Sequence, residues 1–220
     1  MLKSNRPTLQ LVISVAGVFA ALLCVFLFNN YLLMILSLEV RMLLMPVSQW
    51  LLFLVPCIMM ILNKEKLYDF GFTKKNLLKQ IVIGCAIALA MSAVLTVFPI
   101  LIGLKNMVGS SNYTAAWQFA YQFLYTTLGV ALAEELIFRG YIFHKLLEIN
   151  NKRWFAILIS SSLFGLFHIF SGNLIQLFMT AIIGAFYCIC REKIKDCTIL
   201  SLILAHGIYD ALIVLWVSIL

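Results

Sequence analysis

Charged residues are scarce in this sequence, and their scarcity excludes most classes of soluble protein. Asp, Glu, Lys and Arg together make up 11% of the 220 residues, whereas 64% are hydrophobic. Soluble domains carry roughly 25% charged and roughly 45–50% apolar residues. The mean hydropathy of +1.05 therefore indicates an integral membrane protein, with no room for a sizeable soluble domain.

Signals for several other classes are missing as well. The first apolar stretch is longer than the core of a signal peptide and lacks a clear small-residue cleavage site, so we interpret it as a retained membrane span. Basic and aromatic residues do not interleave as they do in nucleic-acid-binding proteins, and we expect no nucleic-acid partner. No glycine-rich phosphate loop is present.

The 6 cysteines are not expected to bind a metal or to form disulfides. They lie in apolar runs or at the edges of those runs, and a CxC followed by a distant Cys matches no standard zinc spacing. We predict that they are small buried side chains at Cys24, Cys57, Cys85, Cys188, Cys190 and Cys197.

Apolar windows predict an all-α fold, a polytopic membrane helical bundle of about seven transmembrane helices, each long enough to cross a bilayer. The predicted spans are 9–36, 43–62, 81–104, 116–147, 153–170, 174–191 and 197–219. Most of the 16 Lys and Arg residues fall on the side of the membrane that holds the N-terminus. The positive-inside rule then predicts a cytoplasmic N-terminus and a C-terminus outside.

A basic segment near 63–80 joins the second and third predicted spans and alternates cationic with apolar side chains. We expect it to lie along the cytoplasmic interface with its lysines facing anionic headgroups of the lipid bilayer. A solvated loop fits the same pattern nearly as well.

A few ionisable residues lie away from the predicted interfaces, where a charge costs about 2.5–3.5 kcal/mol on insertion scales. Such residues usually face the interior of a helix bundle and often mark function. They belong to the fourth, fifth and seventh predicted spans: Glu134, Glu135, Arg139, His168, His206 and Asp210.

Helical spacing predicts two pairs among these residues. Glu135 and Arg139 are four apart with the acid on the N-terminal side, which favours an ion pair on one helix face. Glu134 is turned by about 100° from its neighbour and is left to face something else. His206 and Asp210 are also four apart, so the carboxylate can orient the imidazole.

The rise of a helix places Glu134, His168, His206 and Asp210 at similar depths, so that they could share one cavity within the bilayer. A carboxylate and two imidazoles are sufficient to activate a water and to stabilise an oxyanion, and peptide hydrolysis fits this set. A serine nucleophile has little support, because no serine of these spans lies in a GxSxG motif.

Three motifs carry a resemblance to a known family. EELIFR (134–139), FGLFH (164–168) and HGIYD (206–210) resemble the EExxxR, FxxxH and HxxxN/D motifs of the CPBP family of intramembrane proteases. That family includes eukaryotic CAAX-processing endopeptidases and bacterial Abi proteins. The likeness covers roughly 115–215, and we assign 1–114 to N-terminal transmembrane helices and 115–220 to a CPBP/Abi-like catalytic core.

The resemblance implies a role for each motif residue. Glu134 would activate the attacking water, His168 would help to hold or polarise it, and His206 with Asp210 would stabilise the oxyanion. Glu135 and Arg139 would be supporting residues, and Phe164 would shape the cavity wall. CAAX-type members carry Asn in the third motif, and since an ionised Asp cannot donate to an oxyanion, Asp210 would have to be protonated or act by orienting His206.

The family has also been described as metalloproteases. In that case Glu134, His168 and His206 would be the zinc ligands. The sequence has no HExxH motif, and we favour metal-independent glutamate chemistry with no cofactor.

The resemblance further implies a peptide or membrane-protein substrate in a bacterial plasma membrane, with a role in bacteriocin self-immunity or in peptide maturation. The sequence indicates no oligomeric state. Two other classes stay open on the residues alone. A non-catalytic immunity or interaction protein would use the polar cluster only for packing. A small transporter would be expected to show inverted repeats and broken helices, which are not visible in the sequence.

Overall fold

The structure is a computed structural model that describes residues 6–171 and 174–220. Within these ranges the chain forms helices and no strand, which confirms the all-α prediction. The helices are α1 (Arg6–Ile35), α2 (Leu38–Leu62), α3 (Leu77–Leu101), α4 (Lys105–Val108), α5 (116–149), α6 (Arg153–Phe167), α7 (Leu174–Lys193) and α8 (Ile199–Ile219).

Among the described residues, 5 helices are long and apolar enough to cross a membrane, namely α1, α2, α3, α7 and α8. The fourth and fifth predicted spans correspond to α5 and α6. Charged and polar residues lower the hydropathy of α5, and α6 has only 15 residues, fewer than the ~20 that a span needs. The membrane bundle is therefore confirmed, while the count of seven spans stays a prediction.

Helix α5 is the element around which the others pack. Trp50 of α2 donates from Nε1 to the carbonyl of Leu128 at 2.8 Å, and Ser160 of α6 donates to the carbonyl of Phe138 at 2.7 Å. From α5 itself, Thr126 donates to the carbonyl of Gly207 on α8 at 2.8 Å. These bonds join three helices to the central one.

Two stretches of α5 are π-helical rather than α-helical. They are Tyr125–Ala131 and Leu136–Ile142, and the short α-helical turn Leu132–Glu135 lies between them. A π-helical turn changes the direction of the side chains beyond it and often occurs at functional sites. Both glutamates of the first motif lie in the turn between these stretches, so an ideal 3.6-residue period describes their surroundings only approximately.

The basic segment is anchored to the protein more firmly than its sequence indicates. Phe70 is 1% exposed and packs against the ring of Tyr141 at a centroid distance of 5.5 Å. Glu65 pairs with Lys145 near the end of α5, and Arg191 of α7 donates to the carbonyl of Phe70 at 3.2 Å. Its final residues already form the first turn of α3. The segment is therefore packed against the protein with all five of its lysines exposed, and its position along the cytoplasmic interface stays a prediction.

The cysteines are free thiols, and their burial differs along the chain. The prediction of burial is correct for Cys188, Cys190 and Cys197. It is wrong for Cys24, which is exposed because it lies on the outward face of α1. An apolar face of a membrane helix can point to lipid as well as to protein, so hydropathy alone does not distinguish the two.

Candidate active site

An unbroken polar chain crosses the interior from α5 to α8. Arg139 donates from Nη1 to Oε1 of Glu135 at 2.9 Å, and the same oxygen lies 2.9 Å from Nδ1 of His206. Glu135 and Arg139 are 0% exposed and His206 is 6% exposed. The predicted pair of Glu135 with Arg139 is present, and Glu135 bridges the guanidinium to the imidazole as well.

Close approach of α5 and α8 makes this bridge possible. A Cβ placed on Gly207 would lie 2.4 Å from Cα of Thr127, so only glycine fits at this crossing. His206 is next to Gly207, so this crossing keeps its stretch of α8 close to α5. His206 reaches Glu135 for this reason.

The other nitrogen of His206 faces two more carboxylates. Nε2 lies 3.4 Å from Oδ2 of Asp210 and 3.8 Å from Oε2 of Glu134. Glu134 is 4% exposed, and this oxygen makes no hydrogen bond within residues 6–171 and 174–220. The imidazole thus lies among three carboxylates, with Glu135 bound tightly on one side and the oxygen of Glu134 available on the other.

Aromatic rings form the wall behind the polar chain. The guanidinium carbon of Arg139 lies 3.9 Å from the ring centre of Phe164 and 5.4 Å from that of Tyr187. A desolvated cation over an aromatic face is stabilised by about 2 kcal/mol or more. Phe164 is 2% exposed and stabilises the arginine that holds Glu135, while its role in a cavity wall stays a prediction.

His168 reaches the site from the end of α6. It is the residue at which that helix terminates, and its Nδ1 lies 2.9 Å from the carbonyl of Phe164. A carbonyl can only accept, so Nδ1 carries a proton in this contact. The ring is therefore oriented by its own helix.

Glu134 and His168 both line a cavity of about 280 Å³. Residues of α1 and α2 line it as well, and among them are the amides Asn29 and Gln49. Tyr125 of α5 lines it too. His206 contacts this cavity's glutamate, whereas Asp210 is not part of the lining and has a side chain that is 30% exposed. The structure thus places Glu134 and His168 on one cavity, while His206 and Asp210 do not line it and His206 lies within 3.8 Å of Glu134.

Sequence reasoning missed several polar residues near this space. Tyr187 is fully buried, with its ring centre 5.7 Å from that of His206, and its hydroxyl has no hydrogen-bond partner in the described chain. The sequence also gives little indication of Asn29, Gln49 and Tyr125. Each is an uncharged polar residue within an apolar run, and this signal for a polar cavity is weaker than that of an ionisable residue.

The residues fit a metal ion poorly. No group of three or more His, Cys, Asp or Glu side chains in the described ranges has an arrangement that could hold one. The imidazole of His206 uses Nδ1 for Glu135 and has Nε2 nearer to Asp210 than to Glu134. We therefore derive no step through zinc at this site.

The site's residues fall in a region with a known family likeness. Residues 116–212 match the family model described as Rce1-like, the type II CAAX prenyl endopeptidase Rce1-like family. The match extends from α5 into α8 and contains all three motifs, so it confirms the resemblance to the CPBP proteases. This region of the chain is similar to the Rce1-like family, and the protein is an integral membrane protein. No curated protein and no solved structure matches the chain.

Proposed function

We propose that the protein is an intramembrane endopeptidase that cleaves a peptide bond with water activated by Glu134. One observation carries the proposal: the oxygen of Glu134 that lies 3.8 Å from His206 makes no hydrogen bond in the described chain, and its residue lines a cavity with His168. One oxygen of Glu135 is unpaired as well, but its other oxygen binds both Arg139 and His206. Glu135 therefore has a packing role, whereas Glu134 makes no hydrogen bond within the described residues.

In the proposed reaction Glu134 accepts a proton from a water molecule while the water oxygen attacks the carbonyl carbon of the scissile peptide bond. The carbonyl π electrons move to oxygen and form an oxyanion. Glu134 then returns the proton to the amide nitrogen as the carbon–nitrogen bond breaks. The products are a new carboxylate and a new amine, so the carboxylate is regenerated.

The oxyanion would be stabilised by His206 in its protonated form. Its Nδ1–H is fixed on Glu135, and Arg139 holds that carboxylate from the other side. Nε2–H is then directed toward Glu134 and Asp210, where the reacting carbonyl would lie. Because the donor is oriented before the reaction, little reorganisation is needed when charge develops. His168, whose ring is held by the carbonyl of Phe164, would help to hold the water.

We propose no cofactor for this chemistry. The alternative, a zinc protease with Glu134, His168 and His206 as ligands, remains an outcome of the test. The resemblance supports a peptide or membrane-protein segment as substrate, and a role in bacteriocin self-immunity or in maturation of a secreted peptide. The distribution of Lys and Arg supports a bacterial plasma membrane location with the N-terminus cytoplasmic and the C-terminus outside.

The first experiment is cleavage of a set of internally quenched apolar peptides by purified protein in liposomes. Wild type and Glu134→Gln are compared, each with and without a strong chelator. We expect cleavage by wild type to survive chelation and to fall by about 10²–10⁴-fold in the variant, the range for loss of a general base. Loss of activity on chelation that zinc restores would support the metalloprotease instead.

Folding must be measured alongside cleavage. Glutamine keeps the size of Glu134 and its unbonded position, so the variant should accumulate and unfold as wild type does. If both proteins fail to cleave every peptide but protect cells equally from a bacteriocin, the enzyme proposal is wrong and the non-catalytic immunity protein is supported.

A further inference from the structure

Some of the polar residues that line the cavity beside Glu134 lie outside the family motifs. Among them are Gln49 of α2 and Asn29 of α1, which line the same cavity as Glu134 and His168. Both residues precede the Rce1-like region at 116–212. The other lining residues of α1 are the apolar Leu22, Val25 and Phe26 and a further amide, Asn30, whose nitrogen donates to the carbonyl of Phe26.

Neither amide is explained by packing. Gln49 is 9% exposed, lines the cavity and makes no side-chain hydrogen bond within residues 6–171 and 174–220. The side-chain oxygen of Asn29 is fully buried and unpartnered within these ranges. An amide oxygen that is buried without a partner costs about 1–3 kcal/mol, and an apolar residue of similar shape would avoid this cost. The amides are therefore expected to bind something that enters the cavity.

A peptide backbone has the chemistry that these groups would bind. Each residue of a substrate carries an N–H donor and a C=O acceptor, and in an apolar cavity each must find a partner. A primary amide side chain offers both a donor and an acceptor, so it can pair with an extended backbone as another strand would. The volume of about 280 Å³ is near the lower end for ligand pockets, which suits a short unwound stretch of chain.

We infer that Gln49 and Asn29 hold the substrate's backbone by hydrogen bonds, in the cavity that Glu134 also lines, so that the scissile bond lies between the N-terminal helices and the catalytic helix. This inference rests on the proposed function, because it assigns the binding half of the same site. The family region would then supply the reacting groups, and α1 and α2 would supply the groups that unwind and position the peptide.

The test compares Gln49→Leu with wild type on an internally quenched peptide of about 20 apolar residues with flanking lysines, inserted in liposomes. We expect KM to rise about tenfold, the effect of losing one or two hydrogen bonds, while kcat changes by less than about twofold. Thermal stability should stay the same or increase, since an unpartnered amide is removed. Asn29→Leu should act in the same direction.

Gln80→Leu is the matched control. Gln80 is also a buried glutamine, but its amide donates to the carbonyls of Thr73 and Lys75 and accepts from Thr198. Its loss should lower stability and leave KM unchanged. If Gln49→Leu has the KM of wild type, the inference is wrong. The proposed function would still hold in that case, provided that wild type cleaves the peptide and Glu134→Gln does not.

A binding measurement separates the two proposals if no cleavage is found. The same peptide carrying a dye is titrated into Glu134→Gln and into the double variant with Gln49→Leu. Affinity that falls about tenfold in the double variant supports backbone binding even if the protein hydrolyses nothing. Equal affinity, or no binding to either protein, overturns it.

Discussion

Two polar regions of this membrane bundle differ in whether their buried polar atoms have hydrogen-bond partners. Around Gln80, where α3 begins, both ends of the amide are paired: the nitrogen with the carbonyl of Thr73 at 3.0 Å and the oxygen with Thr198 at 2.5 Å. Around Glu134, buried polar atoms in the described residues lack hydrogen bonds. They include one carboxylate oxygen each of Glu134 and Glu135, two nitrogens of Arg139 and the hydroxyl of Tyr187.

Glu135 and Arg139 belong partly to both regions, because their other atoms are paired and join α5 to His206 of α8, whereas Glu134 makes no hydrogen bond in the described residues. A buried polar group that only fastens one element to another gains nothing from being left unpaired, because the desolvation cost is not recovered. A group that must bind a substrate or move a proton has to keep an atom available. The predictions below test whether this contrast holds for single residues.

The largest effect is expected when the adjacent glutamates are exchanged for glutamine one at a time. Glu135→Gln removes the carboxylate that Arg139 and His206 share and leaves a buried cation uncompensated, so it should lower the free energy of unfolding by about 3–5 kcal/mol. Glu134→Gln should leave that free energy near the wild-type value. Unfolding in mild detergent, followed by circular dichroism, measures both. Equal losses of stability in both variants would contradict the contrast between these neighbours.

Lys145→Met should cause the next largest loss of stability. The Lys145 side chain is only 2% exposed and bridges Glu65 of the basic segment to Glu148 of its own helix. Removing it leaves two carboxylates facing each other, and we expect a loss of about 3 kcal/mol, near the lower end for broken buried pairs, because Glu148 is partly exposed. The kcat of the remaining folded protein should not change.

Lys79→Met is the control for this loss. Its side chain is 69% exposed and lies 4.0 Å from Asp196, so the effect on stability should be below about 1 kcal/mol. A similar loss in both lysine variants would show that charge balance, rather than the buried bridge, explains the result of Lys145→Met.

Gln80→Leu is expected to change the stability less, and the comparison rests on whether the protein is destabilised. It removes three hydrogen bonds and leaves the carbonyls of Thr73 and Lys75 without this donor, at a cost of about 1–3 kcal/mol. Gln49→Leu replaces the same residue type but should not destabilise the protein at all. Thermal unfolding of the two variants side by side gives the comparison. Equal destabilisation would mean that Gln49 has a packing role.

Local spacing explains why part of this arrangement could be predicted from sequence. Glu135 and Arg139 pair as expected, since four residues along one helix bring side chains together wherever the helix lies. The additional bond from Glu135 to His206 could not be predicted, because it depends on how closely α5 and α8 cross. That distance is set by Gly207 against Thr127, a contact that no periodicity shows.

Hydropathy predicted the all-α membrane bundle for a similar reason: composition over a span averages out local detail. It did not predict the π-helical turns that flank the two glutamates, nor the polar side of the cavity. Asn29 and Gln49 lie in apolar runs far from the motifs, and their importance depends on which helices face the cavity. The roles of Glu134, His168, His206 and Asp210 stay predictions until cleavage is measured.

The smallest effect is expected at the edge of the site. Asp210→Asn removes a carboxylate whose side chain is 30% exposed and whose oxygen lies 3.4 Å from Nε2 of His206. His206 is oriented chiefly by the fully buried Glu135 at 2.9 Å, and an amide oxygen can still accept from the same nitrogen. We therefore expect kcat/KM on the quenched peptide to change by less than about tenfold, the range for one exposed partner of a hydrogen bond. An inactive but folded Asp210→Asn would show that the charge itself is needed, and would place Asp210 with Glu134 among the groups kept available for the reaction.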